Sequence, residues 1–216
     1  MSHYSWLLLV YRVPTEPAGK RVTIWRELKR LGSLYLQQCV CILPDSPELR
    51  TELERVGEKI EAMEGEHTLF EIPRLKEADE RRIIESFQAL RNKEYQEIVE
   101  ECETKFVKEV EFEHFRQNYS FEEAEEIGQD LEKIRRWFDR IVARDWFGAS
   151  GRREVEGWID RCAELLSGFE HEVYQRHPDD TPDAAPDVPR FAISPRPLGL
   201  VEDESSSANK REETGT

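Results

Sequence analysis

Seven basic side chains between residues 133 and 153 (Lys133, Arg135, Arg136, Arg140, Arg144, Arg152 and Arg153) meet only two acids, Asp139 and Asp145. That is a local balance of +5 in a chain of 216 residues whose formal charge is −15. Arg136, Arg140 and Arg144 recur every four residues, so on a helix they form one ridge. Guanidinium groups hold phosphate or other oxyanion oxygens through paired hydrogen bonds, which makes the ridge a candidate oxyanion or nucleic-acid contact. The competing use is ion pairing with neighbouring acids. A second basic segment opens the chain. Residues 1–44 hold six Lys and Arg against Glu16 and Glu27, a balance of +4 that leaves −19 for the remainder. Its centre is AGKRVTIWRELKRLG, residues 18–32. As a helix, this segment is expected to bury Val22, Trp25, Leu28 and Leu31. Lys20, Arg26, Lys29 and Arg30 then point outward or flank the stripe, with Arg21 at its border. The helix dipole alone would favour Lys29 and Arg30 in the last turn.

No catalytic set accompanies these clusters. His3, His67, His114, His171 and His177 lie apart, and there is no G-x-S-x-G, P-loop or dinucleotide-binding glycine run. Cys39 and Cys41 form C-x-C with no second pair to complete a zinc site. On a strand they would share one face as packed thiols, and Cys102 and Cys162 fall within apolar helical stripes. The expectation is a non-enzyme with no metal and no cofactor.

The basic segments need elements to position them. Trp6–Val13 is apolar on both alternating faces, and so is Cys39–Leu43. Ser33–Gln37 and His67–Pro73 alternate instead, so the spacing predicts two central strands and two half-exposed ones. Between them lie the basic helix, about Ala18–Leu31, and a second helix carrying Leu49, Leu53, Val56, Ile60 and Met63 to a stop at Gly65. Asp45 is placed to cap this second helix, with Pro47 in its first turn. The order β-α-β-β-α-β is that of a ferredoxin-like split-βαβ domain over residues 1–75, in an α+β fold. Residues 76–176 read as helix alone. A long segment spans Asp79–Phe115, and Asn118 breaks it. Ser120 with Glu123 caps a helix ending near Gly148, and a third helix starts at Ser150-Gly151. This pattern predicts a long antiparallel helical hairpin completed to a three-helix bundle, with coiled-coil spacing. If the hairpin returns to the sheet, Arg140–Arg153 come back beside the first basic helix.

Hydrophobic residues make up 38% of the chain and charged residues 36%, which favours a soluble protein with long solvated helices over a compact α/β enzyme. No apolar run approaches the roughly 20 residues of a membrane span, so a cytoplasmic protein is expected. Residues 177–216 are acidic and Pro-rich and are expected to be a disordered tail.

The opening WLLLVYRVP, the run KRVTIWRELKRLGSLYL and the following CVCILPD resemble the N-terminal domain of the ChrB chromate-resistance regulators. The resemblance continues through NKEYQEIVEECE (92–103) and LEKIRRWFDRIVARDWFGASGRREVE (131–156), and covers about residues 4–175. It implies a bacterial regulatory protein of chromate resistance, acting in transcriptional control of a chromate efflux operon. The implied partners are operator DNA, chromate or another oxyanion, and a second copy in a homodimer. A protein-interaction module of the same system, without DNA binding, is the alternative. The resemblance implies a C-terminal sensing domain in full-length members of the family, and the acidic tail is expected to stand in its place here. The sheet layout is also similar to that of small CRISPR-associated nucleases, which place a metal-binding Asp at the end of the first strand. Arg12 stands there in this chain, which argues against metal-dependent cleavage.

Overall fold

The computed structural model describes residues 4–14, 16 and 19–178. The tail expected from residue 177 thus lies, beyond Pro178, outside the described residues. Two compact units divide the chain between Arg81 and Arg82.

In the first unit the order is β1 (Trp6–Arg12), α1 (Gly19–Arg30), β2 (Leu34–Gln37), β3 (Val40–Pro44), α2 (Pro47–Ala62) and β4 (Glu66–Ile72). The strands form one antiparallel sheet in the order β2-β3-β1-β4. The two strands apolar on both faces are therefore the central pair, and the two alternating ones are the edges. Leu9 stands opposite Cys41 on one side and Leu69 on the other. Leu7, Leu9, Cys41 and Leu43 are buried, while Val10 and Phe70 on alternate positions are exposed. On α2 the residues Leu49, Leu53, Val56 and Ile60 are buried, at the four-three-four spacing of one helical face. Gly57 lies on the same side because a Cβ there would sit 2.4 Å from the His67 ring on β4.

Two local expectations are corrected. The cap of α2 is Ser46, whose Oγ accepts the Leu49 N–H at 3.2 Å, and not Asp45. Asp45 instead accepts from the Arg50 guanidinium at 2.6 Å, since its backbone lies one residue too early to reach the helix N–H groups. Cys39 is not on a strand. It sits in the β2–β3 turn with φ +64, so the register starts at Val40 and only Cys41 is buried. Burial pushes the Cys41 thiol up to about 12. At pH 8 an alkylating reagent is expected to modify Cys39 in the folded chain and to reach Cys41, Cys102 and Cys162 only after denaturation. Intact-mass counting of adducts checks this, and a fast second adduct on folded protein would contradict the packing.

The second unit is helical: most of α3 (Glu77–Glu101), a π-helical turn at Cys102–Phe106, α4 (Val107–Arg116), α5 (Phe121–Val142) and α6 (Arg152–Arg176). The long helix read from the sequence is present but carries the π turn, in which the Val107 N–H reaches the Cys102 carbonyl. The extra residue of that turn keeps Cys102, Phe106 and Val110 all facing the core. At the following turn Gln117 adopts φ 54, and the Asn118 amide bridges the carboxylates of Glu113 (2.7 Å) and Glu123 (3.0 Å). Ser120 Oγ accepts the Glu123 N–H at 3.2 Å, so half of the expected capping box forms while the Glu123 carboxylate is taken by Asn118. The chain doubles back, and Cys102, Val110, Leu131, Ile134, Val155, Cys162 and Phe169 share one core. No helix of the described residues is long and apolar enough to cross a membrane.

Candidate functional site

The face of α1 differs from the one the spacing predicted. Ile24, Leu28 and Leu31 are buried, whereas Val22 and Trp25 are 43% and 45% exposed. Steps of three residues drift about 60° backwards around a helix, so 22, 25, 28 and 31 together sweep half its circumference. The four-three set 24, 28, 31 stays on one side. Trp25 is thereby left outside among the basic residues, with Lys29 Nζ 5.2 Å from its ring centre. Arg26 is exposed and makes no ion pair among the described residues. The other candidates are engaged. Arg30 pairs with Glu52 at 3.1 Å, and Lys20 donates to the Met63 carbonyl at 3.1 Å with Glu64 at 3.7 Å. Arg21 is half-buried. Arg12 ends β1 opposite Glu66.

The second cluster also splits. Arg136, Arg140 and Arg153 are exposed and make no ion pair among the described residues, while Arg152 pairs with Glu156 at 2.9 Å. Arg144 leaves the expected ridge because α5 ends at Val142, and its side chain turns inward to Glu94 at 3.1 Å. Glu94 also lies 3.2 Å from Nε of Arg91, which is 4% exposed and which sequence reasoning missed. Burial pushes the Arg91 guanidinium below its ordinary range. Arg91 Nε and Nη1, Glu94 Oε2 and Arg144 Nε have no hydrogen-bond partner, so this group is held by charge more than by alignment.

Around that pair, the two sequence stretches 92–95 and 144–151 interlock. Asn92 Oδ1 accepts the Gly151 N–H at 2.8 Å, at the start of α6. Tyr95 Oη donates to Asp145 Oδ2 at 3.0 Å, and Asp145 also accepts the Ala149 N–H. Gln88 donates to the Phe147 carbonyl at 2.8 Å, and the Trp146 and Phe147 rings pack on Phe87. Gly148 takes φ +63, which lets the loop turn within so few residues. RDWFGASGR is thus a latch that fastens the loop before α6 onto the middle of α3, with its chemistry turned inward. Among the described residues no group of three or more His, Cys, Asp and Glu has the placement of a metal site.

The two clusters belong to different units, and what each offers outward is small: Arg26 and Lys29 with Trp25 on α1, and Arg136, Arg140 and Arg153 on the helical unit. Both stretches fall within residues 21–179, which match the family model described as Protein ChrB, N-terminal. The chain is also 29% identical over 160 residues to Protein ChrB of Cupriavidus metallidurans, an alignment covering 72% of this chain and 45% of that protein. It therefore spans less than half the length of that curated relative. No solved structure matches. The interlocked latch and all of the basic helix α1 from Arg21 onward lie inside the matched region, and the chain belongs to the ChrB family through its N-terminal domain.

Proposed function

We propose that this chain is a regulatory protein of bacterial chromate resistance that contributes to transcriptional control of an efflux operon by contacting DNA through exposed basic side chains. It acts in the cytoplasm, without catalysis or a cofactor, as a homodimer. The sheet order β2-β3-β1-β4 supports a ferredoxin-like arrangement for the first unit, and the shared core of α3–α6 supports a three-helix bundle for the second. The observation that carries the reading is the outer face of α1. In a chain of −15, Arg26 has no partner among the described residues, and Lys29 stands beside an exposed Trp25. Elsewhere in the chain an acidic surface repels a duplex, so binding must concentrate on such a face and weaken steeply with salt.

The test is a gel shift of the DNA upstream of the protein's own gene, at low and moderate salt. An Arg26→Ala/Lys29→Ala/Arg136→Ala/Arg140→Ala variant is expected to lose the shift, and the salt slope should fall by roughly one for each contact removed. No salt-sensitive shift with the native chain, or the same shift with the variant, would refute DNA contact through these residues. A second reading, a protein-interaction module without DNA binding, is favoured by the exposed Phe112 and Phe115. Capture of another chromate-resistance component by a chain that shifts no DNA would select it.

A further inference from the structure

Between α3–α4 and α5 runs an open groove of about 610 Å³. Glu101, Lys105, Lys108 and Phe112 line one wall, Ile134 and Trp137 the other, and no residue of α6 contributes. Phe112, in its lining, is 51% exposed, and Phe115, three residues further along α4, is 86% exposed. Positions 101, 105, 108, 112 and 115 follow a four-three-four-three spacing, the seam along which helices pack side by side. Phe112 within α4 and Phe115 next to its end together present an exposed apolar surface, which marks a contact face. Each chain therefore carries both a socket and a projecting ring, the pairing that a two-fold interface requires. The charges on this face are also self-complementary: Lys108 and the adjacent Glu109 make no ion pair among the described residues.

We propose that this groove is the contact face between two copies of the chain, with their α4 helices antiparallel about a two-fold axis between Lys108 and Glu109. The inference rests on the homodimer reading above and names its interface. With the axis there, Lys108 faces the partner's Glu109, while Arg116 and Glu101 keep their ion pairs with Glu113 and Lys105 inside each copy. Phe115 reaches the far end of the partner's groove, beside the partner's Glu101 and Lys105. Two such insertions bury four phenylalanine rings, and none of these contacts requires either copy to refold.

Light scattering of the full chain across micromolar concentrations, with three variants, tests this. The native chain should be a dimer. Phe115→Asp, a change at a solvent-exposed position, should be a folded monomer by circular dichroism. Lys108→Glu should raise the dissociation constant at least tenfold by setting two carboxylates face to face. Lys108→Glu/Glu109→Lys should return it to near the native value, because the swapped charges again oppose each other. A native chain that stays monomeric overturns the homodimer reading and this interface with it. A native dimer that both single variants leave intact overturns the interface alone.

Discussion

Asp145→Ala is expected to destabilise the helical unit by about 2–4 kcal/mol, seen as a lower denaturation midpoint and a melting temperature lower by about 10 °C or more. The size follows from what the carboxylate holds. Asp145 accepts the Tyr95 hydroxyl at 3.0 Å and the Ala149 N–H at 3.0 Å, and Tyr95 and Ala149 are almost wholly buried. Burial first, and then the Asp145 charge, hold the Tyr95 phenol above its ordinary range, so it remains a donor at any working pH. Removing the acceptor strands two donors in the interior, each at a cost of about 1–3 kcal/mol, and water entering the vacated space recovers part of that. Tyr95→Phe removes one donor and leaves Asp145 its bond to Ala149, so about 1 kcal/mol is expected. Asp145→Asn keeps one acceptor oxygen and should fall between the two. Urea titration of the three variants gives the order, and an Asp145→Ala chain as stable as Tyr95→Phe would show that the latch does not hold the loop.

The strand order was legible because burial writes itself on strands directly. A run apolar on both faces has to be central, and Trp6–Arg12 and Val40–Pro44 are. The stripe on α2 was legible for a similar reason, since Leu49, Leu53, Val56 and Ile60 keep strict four-three-four spacing. On α1 the pattern is ambiguous. Ile24 and Trp25 are adjacent and both apolar, and only the packing decides which faces inward. It favours the branched aliphatic and leaves the indole beside Lys29. The capping error at α2 is of the same kind, since Asp45 and Ser46 are both good caps and the geometry admits one. The arginine ridge failed at Arg144 because a four-residue spacing means nothing once the helix ends, and that end lies two residues earlier. Arg91 left no mark at all in the sequence. A single Arg in a helix rich in charge looks solvated, and only the return of residues 144–151 to the same place buries it. What the sequence could show was where positive charge is dense. Which of those charges stay free depends on the partners the fold supplies, from Glu156 one turn along from Arg152 to Glu94, far back in the sequence from Arg144.

That distinction has a measurable form in Arg144 and Arg140, which the spacing makes equivalent and the fold does not. Arg144→Ala is expected to destabilise the chain by about 2–3 kcal/mol. Breaking a buried ion pair typically costs about 3–5 kcal/mol, because the other charge is left behind in the interior. Here the figure is lower, because the Arg144 side chain is 19% exposed and Glu94 keeps Arg91 at 3.2 Å. The remaining pair cannot make up the loss, because Arg91 Nε and Glu94 Oε2 approach without a hydrogen bond. Arg140 is exposed and has no ion pair among the described residues, so Arg140→Ala should leave the denaturation midpoint unchanged and act, if anywhere, on DNA affinity. A double-mutant cycle sharpens the contrast. In Arg144→Ala/Glu94→Leu the stranded carboxylate is gone as well, and the double variant should be less destabilised than the two single losses added together. Equal stability for Arg144→Ala and Arg140→Ala would return Arg144 to the outward ridge and restore it as a contact residue. A large loss confined to Arg144 assigns it to the latch, and the outward-facing set of the helical unit is then Arg136, Arg140 and Arg153.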